Sequence, residues 1–205
     1  VPLENCVEPS AVKNLFVAPA SLDLAGAEIE LVPAFSRENR LRRAIDAVLP
    51  DYDYVLIDCP TQLTDTTLAA LESSDLVILL IKQDIPAIAR AKKFLDLAPL
   101  IRLEAKRVLI AVNQYDKRIE ITPEKLGETL KKEVSAVIPV SSKTVITSVN
   151  RGVPFMLQKQ SLILNCIPYT PIMVSFSGKK QILIMKLSGR GLYLIQLSEL
   201  QELNA

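Results

Sequence analysis

Five short apolar runs set the frame of this chain: Leu15 to Ala18, Tyr54 to Asp58, Leu76 to Ile81, Val108 to Val112 and Val134 to Ile138. Each is continuously apolar rather than alternating, the pattern of a strand buried on both faces inside a parallel sheet covered by helices. The stretches between them carry helix signals. Ser36 to Leu49 opens on a Ser, places Leu41, Ile45, Val48 and Leu49 on one face and stops at Pro50. Thr64 to Ser73 begins with Thr64 and Asp65, both good N-cap types. Pro86 to Leu97 has its proline in the first turn, where the missing N–H costs least. Thr122 to Lys132 starts with a cap and a proline and ends on two lysines that suit the negative end of the helix dipole. Ser141 to Asn150 is followed by Gly152 as a stop. Strand and helix alternate four times, so the expected class is α/β, a doubly wound, mostly parallel sheet flanked by helices.

The pattern changes after about Met156. Residues 157–205 hold only two acids, Glu199 and Glu202. They read as β-like runs at Ser161 to Leu164, Ile172 to Phe176 and Gln181 to Leu187, with Ser-Gly turns at Ser177-Gly178 and Ser188-Gly189. The expected division is an α/β region over 1–156 and a β-rich or irregular tail over 157–205, packing poorly on the first region.

Composition narrows the chemistry. The chain has no histidine, which excludes Ser-His-Asp and Cys-His catalysis and any metal site built on imidazole. Cys6, Cys59 and Cys166 are odd in number and too far apart for a C-x-x-C pair, so they read as buried thiols of a reducing cytoplasm. Residues 1–100 carry 15 acids and 9 bases, net −6, and residues 101–205 carry 8 acids and 15 bases, net +7. That division permits an anion-facing C-terminal half, and a scattered set of solvated lysines gives the same count. The opening VPLENC has no basic or apolar signal region and looks cut from something longer. The longest uncharged run, Gln160 to Gly178, is broken by Asn165, Pro168 and Pro171 and is not expected to span a membrane.

Asp58 is the residue with the clearest chemical reading. An apolar strand ending in Asp puts a carboxylate at the C-terminal edge of a parallel sheet, where ligands of open α/β folds bind. It can hold Mg²⁺ through water beside nucleotide phosphates, or simply cap the following turn.

The segments Val7 to Ala20, Asp23 to Val32, Ser36 to Arg43 and Tyr52 to Pro60, with Leu24-Ala-Gly-Ala-Glu-Ile-Glu-Leu-Val32 the most specific, resemble the ParA/Soj chromosome- and plasmid-partition ATPases. These belong to the ParA/MinD group of P-loop NTPases with a deviant Walker A motif. From Asp65 to Met156, the runs Thr67 to Leu71, Asp84 to Lys93, Val112 to Arg118 and Ser148 to Pro154 also resemble CpaE/TadZ proteins, relatives that position pilus-assembly machinery. The resemblance implies that Asp58 is the Walker B aspartate of an ATP site, touching the Mg²⁺ hydration shell. It also implies that Cys59 and Pro60 begin switch II. Asn113 then reads adenine through its amide, and Pro139 brings backbone against the base. An amide suits that task because it offers both a donor and an acceptor; a turn-forming Asn at a strand end is the alternative for the bare residue.

Two departures bear on function. Partition proteins continue after the matched proline with Pro-Ser, where this chain has Thr61 and Gln62. None of the six glycines stands in a cluster before a Lys-Ser or Lys-Thr pair, so the chain as given holds half an ATP site and on its own is not expected to hydrolyse ATP. The resemblance implies a cytoplasmic ATPase that dimerises with ATP, binds DNA without sequence preference and answers to a ParB-type centromere-binding protein. The alternatives are a CpaE/TadZ-like positioning scaffold and a degenerate paralogue without ATPase activity.

Overall fold

A computed structural model describes residues 2–10, 12–19, 36, 38–59, 63–152, 180–185 and 191–195. The chain divides into two units, Val1–Val77 with Gly178–Ala205, and Ile78–Ser177.

In the first unit, β1 (Glu8–Pro9) and β2 (Leu15–Pro19) pair antiparallel, with Glu8 opposite Val17. Ser36 has φ 55° and accepts from Asn39 N–H, so helix α1 runs over Glu38–Val48 rather than from Ser36 itself. Its inward face is Ile45 and Val48, both essentially inaccessible. Strand β3 (Tyr54–Cys59) follows, and its burial alternates: Val55, Ile57 and Cys59 are buried, while Tyr54, Leu56 and Asp58 are half-buried. Its continuous apolar run implied burial on both faces; instead one face is buried and the other only partly covered, because successive side chains point to opposite sides of a strand. Helix α2 (Asp65–Ser73) packs on α1, burying Ala69, Ala70 and Leu71. Thr64 caps it by accepting the Thr67 N–H at 3.3 Å. Phe16 on β2 meets the Tyr52 ring edge-on at 5.6 Å, a favoured aromatic geometry.

Two strands come from the C-terminal stretch: β7 (Lys180–Met185) and β8 (Gly191–Ile195). β7 pairs parallel with β3, Asp58 opposite Ile184, and β8 pairs antiparallel with β3 on its other side and with β2. The order in this unit is β1-β2-β8-β3-β7. β2 is thus an antiparallel member of a mixed sheet, half-buried along most of its length, and not one of the parallel strands its apolar run implied. The runs Ser161 to Leu164 and Ile172 to Phe176 lie outside the described residues, as does Asp23 to Val32.

Strand β4 (Leu76–Ile81) leads into the second unit, which begins at Ile78. It leads to helix α3 (Ile85–Leu97), capped by Asp84, whose carboxylate accepts the Ala87 N–H at 2.7 Å. Strand β5 (Val108–Tyr115), helix α4 (Pro123–Leu130), strand β6 (Val134–Pro139) and helix α5 (Ser142–Arg151) complete this unit. The strand order is β4-β5-β6, with β5 and β6 parallel. Val108, Ile110 and Val112 are fully buried, and α4 packs on α3 and β6 through Leu126 and Leu130. α4 ends at Leu130, with Lys131 left-handed at φ 52°, and Lys132 reaches out of the helix to donate to the Ala105 carbonyl at 2.8 Å. Gly152, at φ 62°, ends α5 where a left-handed residue is needed.

Candidate functional site

The described site residues fall into two groups, one in each unit. In the first, β3 carries Asp58 and Cys59 to its C-terminal end. Asp58 lies on the face shared with Tyr54 and Leu56 and keeps Oδ1 buried. Cys59 points the other way and is buried at 7% exposure. Burial first, and the Asp58 charge second, push the Cys59 thiol up to about 11. It therefore stays protonated at neutral pH and is no thiolate ligand. Pro60 lies outside the described residues. Mg²⁺ takes oxygen ligands and keeps most of its water, so a single strand-end carboxylate is a sufficient protein contribution. Asp58 fits that donor requirement, and among the described residues no cluster of three or more His, Cys, Asp or Glu forms a dedicated metal cage.

The second group sits where β5 and β6 run out of register. Val112 stands opposite Val137 and Tyr115 opposite Pro139, so Asn113 and Gln114 on β5 share the place that Ile138 alone fills on β6. A bulge of this kind re-aims side chains and recurs beside functional sites. Gln114 is left-handed at φ 56°, and the Asn113 Oδ1 accepts its N–H at 2.9 Å. A carbonyl oxygen has a second lone pair and the amide nitrogen two hydrogens, which suits Asn113 to pair with a base edge. Pro139 and Asn113 are therefore brought to one edge by strand pairing, and both are half-buried.

Gln83 is a residue that the apolar pattern did not single out. It follows β4, is 8% exposed, and uses its whole amide: Nε2 donates to the Asp116 and Ile121 carbonyls at 3.3 and 2.8 Å, and Oε1 accepts the Asp116 N–H at 2.6 Å. The available signal was a lone amide between an apolar run and the capping Asp84. Beyond it, the Asp116 carboxylate grips Arg118 through its backbone N–H, Nε and Nη2 at 3.0, 3.0 and 2.6 Å. Those bonds, side chain first, hold the Asp116 carboxyl down at about 2.

No helix among the described residues is long and apolar enough to cross a membrane.

The model of the AAA_31 family, described as an AAA domain, matches residues 1–111. The sporulation initiation inhibitor protein Soj of Bacillus subtilis is 44% identical over 98 residues, 48% of this chain and 39% of its own. The chromosome partitioning protein ParA of Myxococcus xanthus is 31% identical over 163 residues, 76% of this chain and 58% of its own. The chain thus spans between two-fifths and three-fifths of the length of these relatives. The crystal structure of the cell division ATPase MinD of Pyrococcus furiosus superposes with a TM-score of 0.65 at 21% identity, covering 81% of this chain and 67% of that one. That likeness shows the fold, an α/β architecture of the P-loop ATPase type. With the family model matching more than half of its residues and the partition ATPases among its relatives, the chain belongs to the AAA_31 family and to the ParA/MinD superfamily.

Proposed function

We propose that this chain is part of a ParA-type partition ATPase, in which Asp58 touches the Mg²⁺ hydration shell of a bound ATP and Asn113 and Pro139 receive its adenine. The observation that carries this reading is Asp58 at the C-terminal end of β3, inside the segment matched by the family model. When bound, Mg²⁺ would neutralise phosphate charge. Asp58 orients its water shell by accepting hydrogen bonds from it. Asn113 selects the base by pairing with its edge, and Cys59 and Pro60 start the switch II loop that carries the nucleotide state to a partner. The further expectations are an ATP-dependent homodimer, non-specific DNA binding by the basic C-terminal half, and a ParB-type stimulating protein.

The test is DNA retention by the full-length protein with ATP and Mg²⁺ across a salt series. Binding through phosphates weakens steeply with salt, by roughly 10³-fold or more between 50 and 200 mM for six or more contacts. Asp58→Asn abolishes the nucleotide response if the proposal holds. No retention even at low salt overturns the partition reading. A second reading, a CpaE/TadZ-like positioning scaffold for which DNA is not a partner, rests on Thr61 and Gln62, which depart from the partition pattern just after Pro60. Nucleotide binding without DNA retention would favour it.

A further inference from the structure

Gln83 stands outside the site residues named so far, yet its side chain behaves as a one-residue extension of β4. Its amide takes both the N–H and the carbonyl of Asp116, as a neighbouring strand would, and spends its remaining hydrogen on the Ile121 carbonyl. The loop between β5 and α4 is thereby closed at both ends by one buried group. Asp116 is the residue after Tyr115. Tyr115 is fixed from the other side, opposite Pro139 and with its carbonyl accepting the Val140 N–H at 2.9 Å. Val112 is fixed opposite Val137. Between these anchors only Asn113 and Gln114 lie out of register.

We propose that Gln83 is a positioning residue for the nucleobase: by fastening Asp116 and Ile121 it sets the direction in which the bulge presents the Asn113 amide. The inference rests on the base-reading role of Asn113 given above. An amide tells adenine from guanine only if its donor and acceptor meet the right edge atoms, so a bulge free to swivel loses discrimination. Replacing Gln83 by a residue without the amide leaves the Asp116 N–H and two carbonyls without this partner, so the Tyr115 anchor of the bulge keeps its tie to β6 and loses the brace on the residue that follows it. If Gln83 merely stabilised the fold, replacing it would lower the melting temperature and leave the choice of base untouched.

The experiment titrates adenosine and guanosine separately into ¹⁵N-labelled protein and follows the Asn113 side-chain and Gln114 backbone amides. Nucleosides are used because they probe the base contact without any phosphate-binding element. The wild type is expected to shift saturably and to prefer adenosine. Gln83→Leu, and Gln83→Glu, which keeps the acceptor but lacks both donations, are expected to narrow that preference by roughly fivefold, about what the net worth of one hydrogen bond converts to. Thermal unfolding identifies which variants are folded, and Gln83→Glu decides the matter if Gln83→Leu is not. A folded Gln83 variant with the wild-type preference overturns the inference. Asn113→Ala separates the two layers. If it removes the preference while both Gln83 variants keep it, only the positioning role falls. If Asn113→Ala also leaves the preference unchanged, or the wild type shows none, the base-reading role fails and the positioning role with it.

Discussion

Val140 donates its N–H to the Tyr115 carbonyl at 2.9 Å, one residue beyond the Tyr115–Pro139 pair, and this locks the end of β6 against the end of β5 just past the bulge. The bulge itself depends on Gln114 adopting φ 56°, a conformation in which an L side chain crowds its own backbone. Gln114→Gly removes that crowding and is expected to raise stability in urea by up to about 1 kcal/mol, the left-handed penalty less the entropy glycine loses on folding. A loss of stability would show that the Gln114 side chain contributes more than its backbone costs.

Asp116 should titrate far below an ordinary aspartate. Its carboxyl is held at about 2 by the Arg118 side chain and backbone, so the ion pair is intact above the usual carboxylate range and breaks only as pH falls through about 2. Carbon-detected NMR of the Asp116 carboxyl should give that midpoint, and Arg118→Ala should return it towards about 3.9. Arg118 is solvent-exposed and Asp116 half-buried, so water screens the pair and the same variant should hardly change the melting temperature.

Cys59 should be slow to alkylate. In a background lacking Cys6 and Cys166, the iodoacetamide rate is expected to stay low through neutral pH and to rise only as the thiol ionises towards about 11. Because burial is the larger cause and the Asp58 charge the smaller, Asp58→Asn should lower that midpoint without restoring the value of a free cysteine near 8.5. Fast labelling of Cys59 in that background at pH 7.5 would contradict the burial of the thiol.

Three of the helix caps, Thr64, Asp84 and Ser141, should differ in value although all are short polar residues. Asp84 accepts from the Ala87 N–H at 2.7 Å, whereas Ser141 accepts from no backbone N–H of α5 and its Oγ instead donates to Thr144 Oγ1 in the first turn. Asp84→Ala is expected to cost about 1 kcal/mol in urea denaturation. Ser141→Ala should cost less, and Thr64→Ala, whose bond at 3.3 Å is longer, should fall between them.

Much of this was legible in the sequence because it rests on local rules. The caps at Thr64 and Thr122, the proline in the first turn of α3 and Gly152 after α5 lie where side-chain chemistry and allowed dihedrals put them. The strand carrying Asp58 and the one carrying Asn113 were readable as buried apolar runs. What periodicity does not encode is pairing. The run at β2 gave no sign of its antiparallel partners, because apolar content reports burial and not direction. The two-against-one register at Asn113 and Gln114 is a relation between strands, and the Gln83 clamp spans more than thirty residues. Neither leaves a trace in a local window.

The strand that carries Asp58 takes both of its neighbours from a point more than a hundred residues later in the chain: Tyr54 is paired with Lys180 on one side and with Ile195 on the other. A growing polypeptide that has exposed β3 therefore leaves both of its edges open until β7 and β8 have been synthesised, at about 5–20 residues per second. Closure of loops this long is entropically slow, so completion of the first unit should lag behind local helix formation. The same chain arrangement exposes β3 to wrong partners during that interval, which makes synthesis, rather than the finished fold, the stage at which this protein is most prone to aggregate.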